Sequence, residues 1–187
     1  MVALTEAMSG YVVGTWSIDP VHTEVGFFAR HMMVSKVRGK FTRFEGKITT
    51  AEDPTESSVT ATVDLTSIDT GNPDRDAHIR SADFFDVDTD KTMSFRSTSI
   101  RPDGSDYTLD GELSLKGVTK PVSFQLEVGG FGTDPSGGTR CGFTAVTTIS
   151  RTDFGVNFNA VMETGGVVVG DKITVQLEVE AVLDGTG

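Results

Sequence analysis

Apolar and polar residues alternate with a period of two through much of this chain. The pattern is clearest in four segments, 59–65, 109–115, 122–128 and 173–179. Successive side chains of a β-strand point to opposite faces, so each segment predicts a strand with one apolar and one polar face. This one-sided pattern is typical of antiparallel sheets, because parallel strands are usually buried on both faces.

The remaining sequence predicts further strands and one helix. Segments 15–18, 24–33, 37–49, 93–100 and 140–149 alternate less strictly. A helix is predicted from Pro73 to about Ala82, because Asn72 can cap it, Pro73 suits its first position and Asp74 suits the positive end of the helix dipole. A second short helical turn is predicted over 157–163.

About eight antiparallel strands in one domain must protect their edges. A sandwich or a closed barrel would do so, and the alternation does not choose between them. A barrel of this size is either filled by side chains or holds one small ligand. The 187 residues show no repeat and no break in composition. We therefore expect a single domain over residues 14–187, preceded by a flexible tail over residues 1–13.

The charge balance restricts the partners. Sixteen Lys and Arg against 27 Asp and Glu give a net charge of −11, which disfavours nucleic acid and, for the chain as a whole, anionic membrane surfaces. No apolar run reaches the length of about 18 residues that a membrane span needs. The N-terminal residues lack the pattern of a secretory signal. We expect a cytoplasmic protein without stable membrane insertion.

One cationic segment departs from this balance. Lys36, Arg38 and Lys40 would share one face of a strand. They are candidates for binding an anionic head group, or for a brief contact with acidic lipid. The alternative is a solvated outer face or a charged edge that prevents aggregation.

Catalytic and metal-binding motifs are not evident. Cys141 lies in a strand pattern without a neighbouring histidine, and His22, His31 and His78 lack the spacing of a zinc site. Residues 86–90 begin like a calcium loop, but Lys91 stands where such a loop needs glycine. No phosphate-binding glycine motif precedes a helix. We expect no enzyme activity, no metal and no cofactor other than a bound lipid.

Several short motifs nevertheless occur in a fixed order along the chain. They are Trp16-x-Ile18-Asp19-x-x-His22, Phe27-Phe28 with His31, Val34-Ser35-Lys36-Val37-x-Gly39-x-Phe41-x-x-Phe44-x-Gly46, Ser67-Ile68-x-Thr70, His78 with Asp83-Phe84-Phe85-Asp86, Gly111-x-Leu113-x-Leu115-x-Gly117-x-Thr119-Lys120-x-Val122, and Ile149-x-Arg151-x-Asp153-Phe154-Gly155. The ordered set resembles the YceI-like family of bacterial polyisoprenoid-binding proteins over about residues 14–183. Thr23 and Thr92 depart from the residues that the family often has at these positions.

The resemblance implies an all-β, lipocalin-like antiparallel barrel around an elongated tunnel, with one or two short helices. It implies a long-chain isoprenoid or similar amphiphile as ligand, an isoprenoid quinone or a polyprenyl phosphate among them, held for carriage, storage or sequestration. Relatives often crystallise as dimers, so the resemblance makes a homodimer a further possibility. Two alternatives stay open: an enzyme acting on a hydrophobic substrate in the same cavity, and a solid-core β-sandwich that serves as an interaction module.

We assign candidate ligand-binding residues within this tunnel. The candidate wall residues are Phe27, Phe41, Met93, Phe95, Leu113, Phe143 and Ile149. The candidate mouth residues are Phe84, Phe85, Phe154 and Phe158. His31 and Arg151 could meet a head group, although a structural hydrogen bond is the alternative for both.

Overall fold

One antiparallel sheet dominates the structure, a computed structural model that describes residues 8–160, 162 and 168–185. Within these residues the strands are β1 (Gly14–Ile18), β2 (Glu24–His31), β3 (Ser35–Phe41), β4 (Phe44–Thr50), β5 (Ser58–Asp64), β6 (Ile68–Asp69), β7 (Thr92–Asp103), β8 (Asp106–Leu115), β9 (Val118–Thr133), β10 (Thr139–Ser150) and β11 (Val169–Leu183). One α-helix, α1 (Pro73–Arg80), and three short 3-10 turns at Pro54–Glu56, Leu65–Ser67 and Arg151–Phe154 complete the described elements.

The sheet closes on itself through β1. This strand pairs with β4 on one side and with β11 on the other, so that Trp16 lies opposite both Ile48 and Leu183. The resulting order, β1-β4-β5-β7-β8-β9-β10-β11, is an eight-stranded antiparallel barrel. The predicted fold class is therefore confirmed, and the sandwich alternative is wrong.

The long strand β11 extends the wall beyond the barrel. Its C-terminal part pairs with β1 and its N-terminal part with β2. Strand β3 then pairs with β2, and the two-residue strand β6 pairs with the end of β3. Helix α1 lies beside β6, where the buried carboxylate of Asp76 accepts hydrogen bonds from the backbone N–H and the hydroxyl of Thr70. The fold therefore has a second compartment, bounded by β2, β3 and α1.

A packed cluster fills one end of the barrel. Trp16 is fully buried there, against Ile48, Cys141 and Ala181. Its indole N–H donates to the hydroxyl of Thr50 at 2.9 Å, which satisfies the only polar atom of the ring. This cluster packs against Ile18, Val59, Phe131 and Phe143 of the barrel interior.

The structure corrects several predicted boundaries. The helix ends at Arg80 rather than Ala82, because Ser81 leaves the helical conformation as its C-cap. The predicted strand over 37–49 is two strands that are separated at Thr42 and Arg43. The helical turn predicted over 157–163 is not formed at 157–160, and residues 161 and 163 lie outside the described residues.

Part of the predicted flexible tail contacts the barrel. Residues 1–7 lie outside the described residues. The hydroxyl of Tyr11 donates to the carbonyl of Ala51 at 2.6 Å, and its ring packs edge-on against Phe131. The boundary of the domain at residue 14 stays a prediction.

Candidate ligand-binding cavities

The barrel encloses an apolar space, which we call cavity 1. Its volume is about 210 Å³. The inward-facing side chains of β5, β7, β8, β9, β10 and β11 supply most of its wall, and Glu45 is the charged residue among the described wall residues. A dry cavity of about 150 Å³ holds a benzene molecule in other proteins, so cavity 1 has room for a segment of hydrocarbon chain.

The second compartment contains cavity 2, with a volume of about 320 Å³. Strands β2, β3 and β11, helix α1 and the segment after β10 form its wall. Three side chains, Met93, Ile149 and Val175, line both cavities. The two spaces therefore adjoin, and together they reach the size range of small-molecule binding sites.

Two glycines let aromatic rings lie flat against the wall. A Cβ atom on Gly39 would lie 2.5 Å from Cζ of Phe27 in cavity 2, and one on Gly111 would lie 2.4 Å from Cζ of Phe95 in cavity 1. Real Cβ atoms do not approach so closely, so a larger residue at either position would push the ring away. The two glycines thus leave room for these phenyl rings to pack closely against the backbone of the cavity wall.

The ionisable residues that line cavity 2 are all basic in the described part of the chain. They are His31, Arg75, His78 and Arg151, together with Arg30, whose side chain is exposed on the outer face of β2 between Ala29 and His31. One of these bases contacts an acidic group outside the lining, since a carboxylate oxygen of Asp83 lies 2.7 Å from Nε2 of His78. A chain with a net charge of −11 thus places a group of bases around one apolar space.

Arg151 is buried and has a structural role. Its guanidinium donates hydrogen bonds to the backbone carbonyls of Gly170, Val156, Phe158 and Val169, at 2.9, 2.8, 2.9 and 3.2 Å. Desolvation lowers its pKa, and no carboxylate forms an ion pair with it among the described residues. The structural role that the sequence left open for Arg151 is therefore present, and the residue also contributes to the wall of cavity 2.

Most predicted site residues line one of the two cavities. Met93 and Ile149 line both. Cavity 1 also contains Phe95, Leu113 and Phe143. Cavity 2 contains Phe27, His31, Phe41, Phe84, Phe85, Arg151 and Phe158. Whether these residues bind a ligand stays a prediction.

Four predicted residues lie elsewhere. Phe154 lines neither cavity, because it is buried in the packed core beside them. Lys36, Arg38 and Lys40 lie on the outer face of β3, where their side chains are exposed and do not line cavity 2. Alternation along β3 causes this placement, since Val37 and Phe41 occupy the inner face.

Three basic residues that line cavity 2, Arg30, Arg75 and His78, are not among the site residues predicted from the sequence. Arg75 and His78 lie on α1, three residues apart, and therefore on one face of the helix. In the sequence, His78 is part of a family motif and lacks the spacing of a zinc ligand, and in the structure its ring packs edge-on against Phe84 and Phe158. The helical spacing is readable in the sequence, but it does not show that this face covers a cavity.

Two chemically notable groups lie outside the cavities. Burial raises the pKa of the Cys141 thiol to about 12, so it stays protonated at neutral pH. Asp19, His22 and Glu180 converge closely enough to suggest a metal site. Arg140 already donates hydrogen bonds to Asp19 and Glu180 at 2.8 and 3.4 Å, which makes this cluster an ion-pair network.

No helix among the described residues is long and apolar enough to cross a bilayer.

These features define the class of antiparallel β-barrels that enclose internal apolar cavities. The profile of the YceI-like domain matches residues 16–181, and the chain belongs to this family. The chain is 36% identical to a UPF0312 protein of Staphylococcus epidermidis over 171 residues, which are 90% of this chain and 98% of that protein.

Solved structures show the same fold. BcnA of Burkholderia cenocepacia superposes with a TM-score of 0.76 at 23% identity, over 87% of this chain and 98% of that one. A polyisoprenoid binding domain from Saccharophagus degradans, implicated in plant cell wall breakdown, superposes with a TM-score of 0.69 at 17% identity, over 92% of this chain and 99% of that one. The predicted family and fold are confirmed.

Proposed function

We propose that this protein binds a long-chain isoprenoid amphiphile, with the hydrocarbon tail in cavity 1 and the polar head in cavity 2. The adjoining cavities carry the proposal, because they share Met93, Ile149 and Val175 and differ in the charge of their walls. The related Saccharophagus domain is a polyisoprenoid binding domain, which supports the ligand class. Carriage, storage or sequestration of the lipid would each use this arrangement.

The wall chemistry favours hydrophobic binding of the tail. Burial of apolar surface contributes about 25 cal/mol per Å² before the costs of binding are subtracted. A long hydrocarbon tail therefore needs no specific polar contact in cavity 1. Specificity for the tail would come from the length and width of the space.

The basic lining of cavity 2 favours an anionic head group over a neutral one. A nearby anion would stabilise the buried positive charge of Arg151, which has Asp171 in its field but no ion pair among the described residues. Arg75 is also available from α1, where its guanidinium donates to the hydroxyl and the carbonyl of Thr70. Among the ligands that the family resemblance suggests, a polyprenyl phosphate fits this lining better than a quinone.

Organic extraction of the purified protein, followed by mass spectrometry, tests the ligand class. We expect a prenyl lipid that is bound in stoichiometric amount and survives gel filtration. Repeating the purification from a second expression host separates a selected ligand from an abundant host lipid. A delipidated protein that takes up no prenyl lipid in titration would contradict the proposal.

Calorimetric titration of the delipidated protein tests the head group. We expect a polyprenyl phosphate to bind at least about tenfold more tightly than the polyprenol of equal length, since a hydrogen bond to a charged group contributes about 1.5–3 kcal/mol. Arg75→Gln should weaken binding of the phosphate and leave the alcohol unchanged. Arg80→Gln is the matched control, because Arg80 ends the same helix outside the cavity wall. Equal affinities for phosphate and alcohol would rule out an anionic head.

A further inference from the structure

The turn between β2 and β3 exposes three consecutive apolar side chains. Met32, Met33 and Val34 are 42%, 61% and 82% exposed. Scattered exposed apolar residues need no explanation, but a contiguous group at the tip of a hairpin marks an interaction site.

The backbone conformation of this turn gives no reason for methionine at positions 32 and 33. Val34 N–H donates to the carbonyl of His31 at 3.1 Å, and Met32 and Met33 have φ angles of 53° and 62°. Two successive left-handed residues at the centre of a β-turn form a type I′ turn, which favours Asn-Gly. Methionine is disfavoured in this conformation. The residues at the tip therefore suit neither the turn nor the core.

Four cations lie on the outer face of the hairpin, in a row that leads away from the tip along β2 and β3. Arg30 is paired with Lys36 across the two strands, and Phe28 is paired with Arg38, with Lys40 further along β3. The Lys36 ammonium and the Arg38 guanidinium lie 4.5 and 5.4 Å from the centre of the Phe28 ring.

These cations differ from their neighbours in having no ion pair in the described part of the chain. Arg43 and Lys47, a few residues later, pair with Asp64 and Asp184. The carboxylate nearest in the ladder is Asp69, which faces Lys40 and accepts a hydrogen bond from the backbone of Gly71. Arg30, Lys36 and Arg38 thus concentrate positive charge near the tip of an acidic protein, while Lys40 lies opposite Asp69.

We propose that the tip of the β2–β3 hairpin docks onto an anionic lipid bilayer. The methionines and Val34 would enter the interfacial region, while Arg30, Lys36, Arg38 and Lys40 would contact the lipid phosphates. The charge of the hairpin complements such a surface, and the rest of the chain does not. Because residues 29–31 also line cavity 2, docking would bring that cavity next to the lipid.

Charge and area favour a bilayer over a protein partner. In a two-fold dimer through this tip, each copy would place its four cations against the same four of the other copy. Three side chains also provide much less contact area than a stable protein interface requires. A bilayer needs only a small apolar insertion when electrostatic attraction accompanies it.

Vesicle flotation of the full chain tests the proposal. We expect binding to vesicles of equimolar phosphatidylcholine and phosphatidylglycerol, and little binding to phosphatidylcholine alone. Met32→Asn with Met33→Gly removes the apolar tip and installs the favoured turn sequence, so that folding is preserved. Lys36→Glu with Arg38→Glu reverses two charges. Each double variant should partition at least about tenfold less onto the anionic vesicles.

A charge-matched control uses Lys91→Glu with Lys120→Glu, at two exposed positions away from the hairpin. Both charge-reversed variants change the net charge by −4, from −11 to −15. Retained vesicle binding by the control supports local docking, and an equal loss in both variants refutes it. Absence of binding by the unmodified chain, or equal binding to both vesicle types, also refutes it.

Two further measurements separate membrane docking from a dimer contact and from the lipid-binding function. If sedimentation velocity shows that the tip variant dissociates a dimer while vesicle binding is unchanged, the tip contacts a second copy and the docking proposal is wrong. The lipid content of each variant is measured in parallel. If the hairpin docks onto the bilayer, vesicle binding of the two hairpin variants falls while the amount of lipid that they retain stays constant. A failure of the proposed lipid-binding function would instead appear as an absence of lipid in the unmodified chain.

Discussion

Filling cavity 1 with a large side chain should shorten the lipid that the barrel holds. Ala145 suits this change, because it is only 4% exposed, lines cavity 1 and has a small side chain. Its neighbours across the ladder are Leu126 and Leu177, which line the same cavity. Ala145→Trp would therefore direct an indole ring into the space proposed for the tail.

The volume of cavity 1 sets the loss of ligand affinity that we expect for Ala145→Trp. Cavity 1 has a volume of about 210 Å³, and a cavity of about 150 Å³ already holds one benzene ring. The two fused rings of an indole would take most of the space and exclude at least one isoprene unit, or about five heavy atoms. At about 0.3 kcal/mol per atom, binding weakens by about 1.5 kcal/mol, which is about tenfold in Kd.

Calorimetric titration with one polyprenyl phosphate measures this change. Val146→Trp provides the control, since Val146 is the next residue of β10 and its side chain is exposed outside the barrel. We expect tenfold weaker binding for the inner variant and unchanged binding for the outer one. If Ala145→Trp fails to fold, Phe143→Trp tests the same cavity from a position that is already aromatic. A folded inner variant with unchanged affinity would show that the tail does not enter cavity 1.

Three further predictions concern stability and reactivity. Arg151→Leu should lower the free energy of unfolding by about 3 kcal/mol in urea titration, because four buried or partly buried carbonyls lose a charged donor; a change below about 1 kcal/mol would refute the structural role. Cys141 should resist alkylation at neutral pH until the protein is denatured, because burial raises its pKa to about 12; rapid labelling of the folded chain would contradict this. Arg140 lowers the pKa values of Asp19 and Asp134 below those of the unfolded chain, so their stabilising contribution is present above about pH 4 and is lost as the pH falls. Melting curves should show a smaller loss on acidification for Arg140→Gln, and an identical acid profile would refute the assignment.

Sequence alternation predicts the strands of the barrel because it reports which face of a strand is buried. Leu109 and Leu113 of β8 are buried at alternate positions, as the pattern of that segment requires. The choice of a barrel over a sandwich depends on family resemblance. Closure requires β1 to pair with β4 and β11 together, and this pairing joins residues that are far apart in the sequence.

The sequence reveals less about the site. Aromatic residues can be assigned to an interior, but alternation alone does not separate a filled core from an open cavity, as the burial of Phe154 shows. The basic lining of cavity 2 is predictable only in part: His31 and Arg151 are assigned from the sequence, but Arg75 and His78 join them only because the fold places α1 against this cavity. Lys36 and Arg38 share one face of a strand as predicted, and that face is the outer one.

Strand β11 connects the two compartments and sets a limit on the ligand. Val169 and Ile173 line cavity 2, Leu177 and Val179 line cavity 1, and Val175 lines both. Ten residue steps separate Val169 from Val179, and at about 3.3 Å per step they span roughly 33 Å. A tail that lies extended along this strand would have about that length available beside it within the two cavities. Longer prenyl chains must therefore fold back within cavity 1 or leave part of their length outside the two cavities, and affinity should stop rising with chain length once the bore is full.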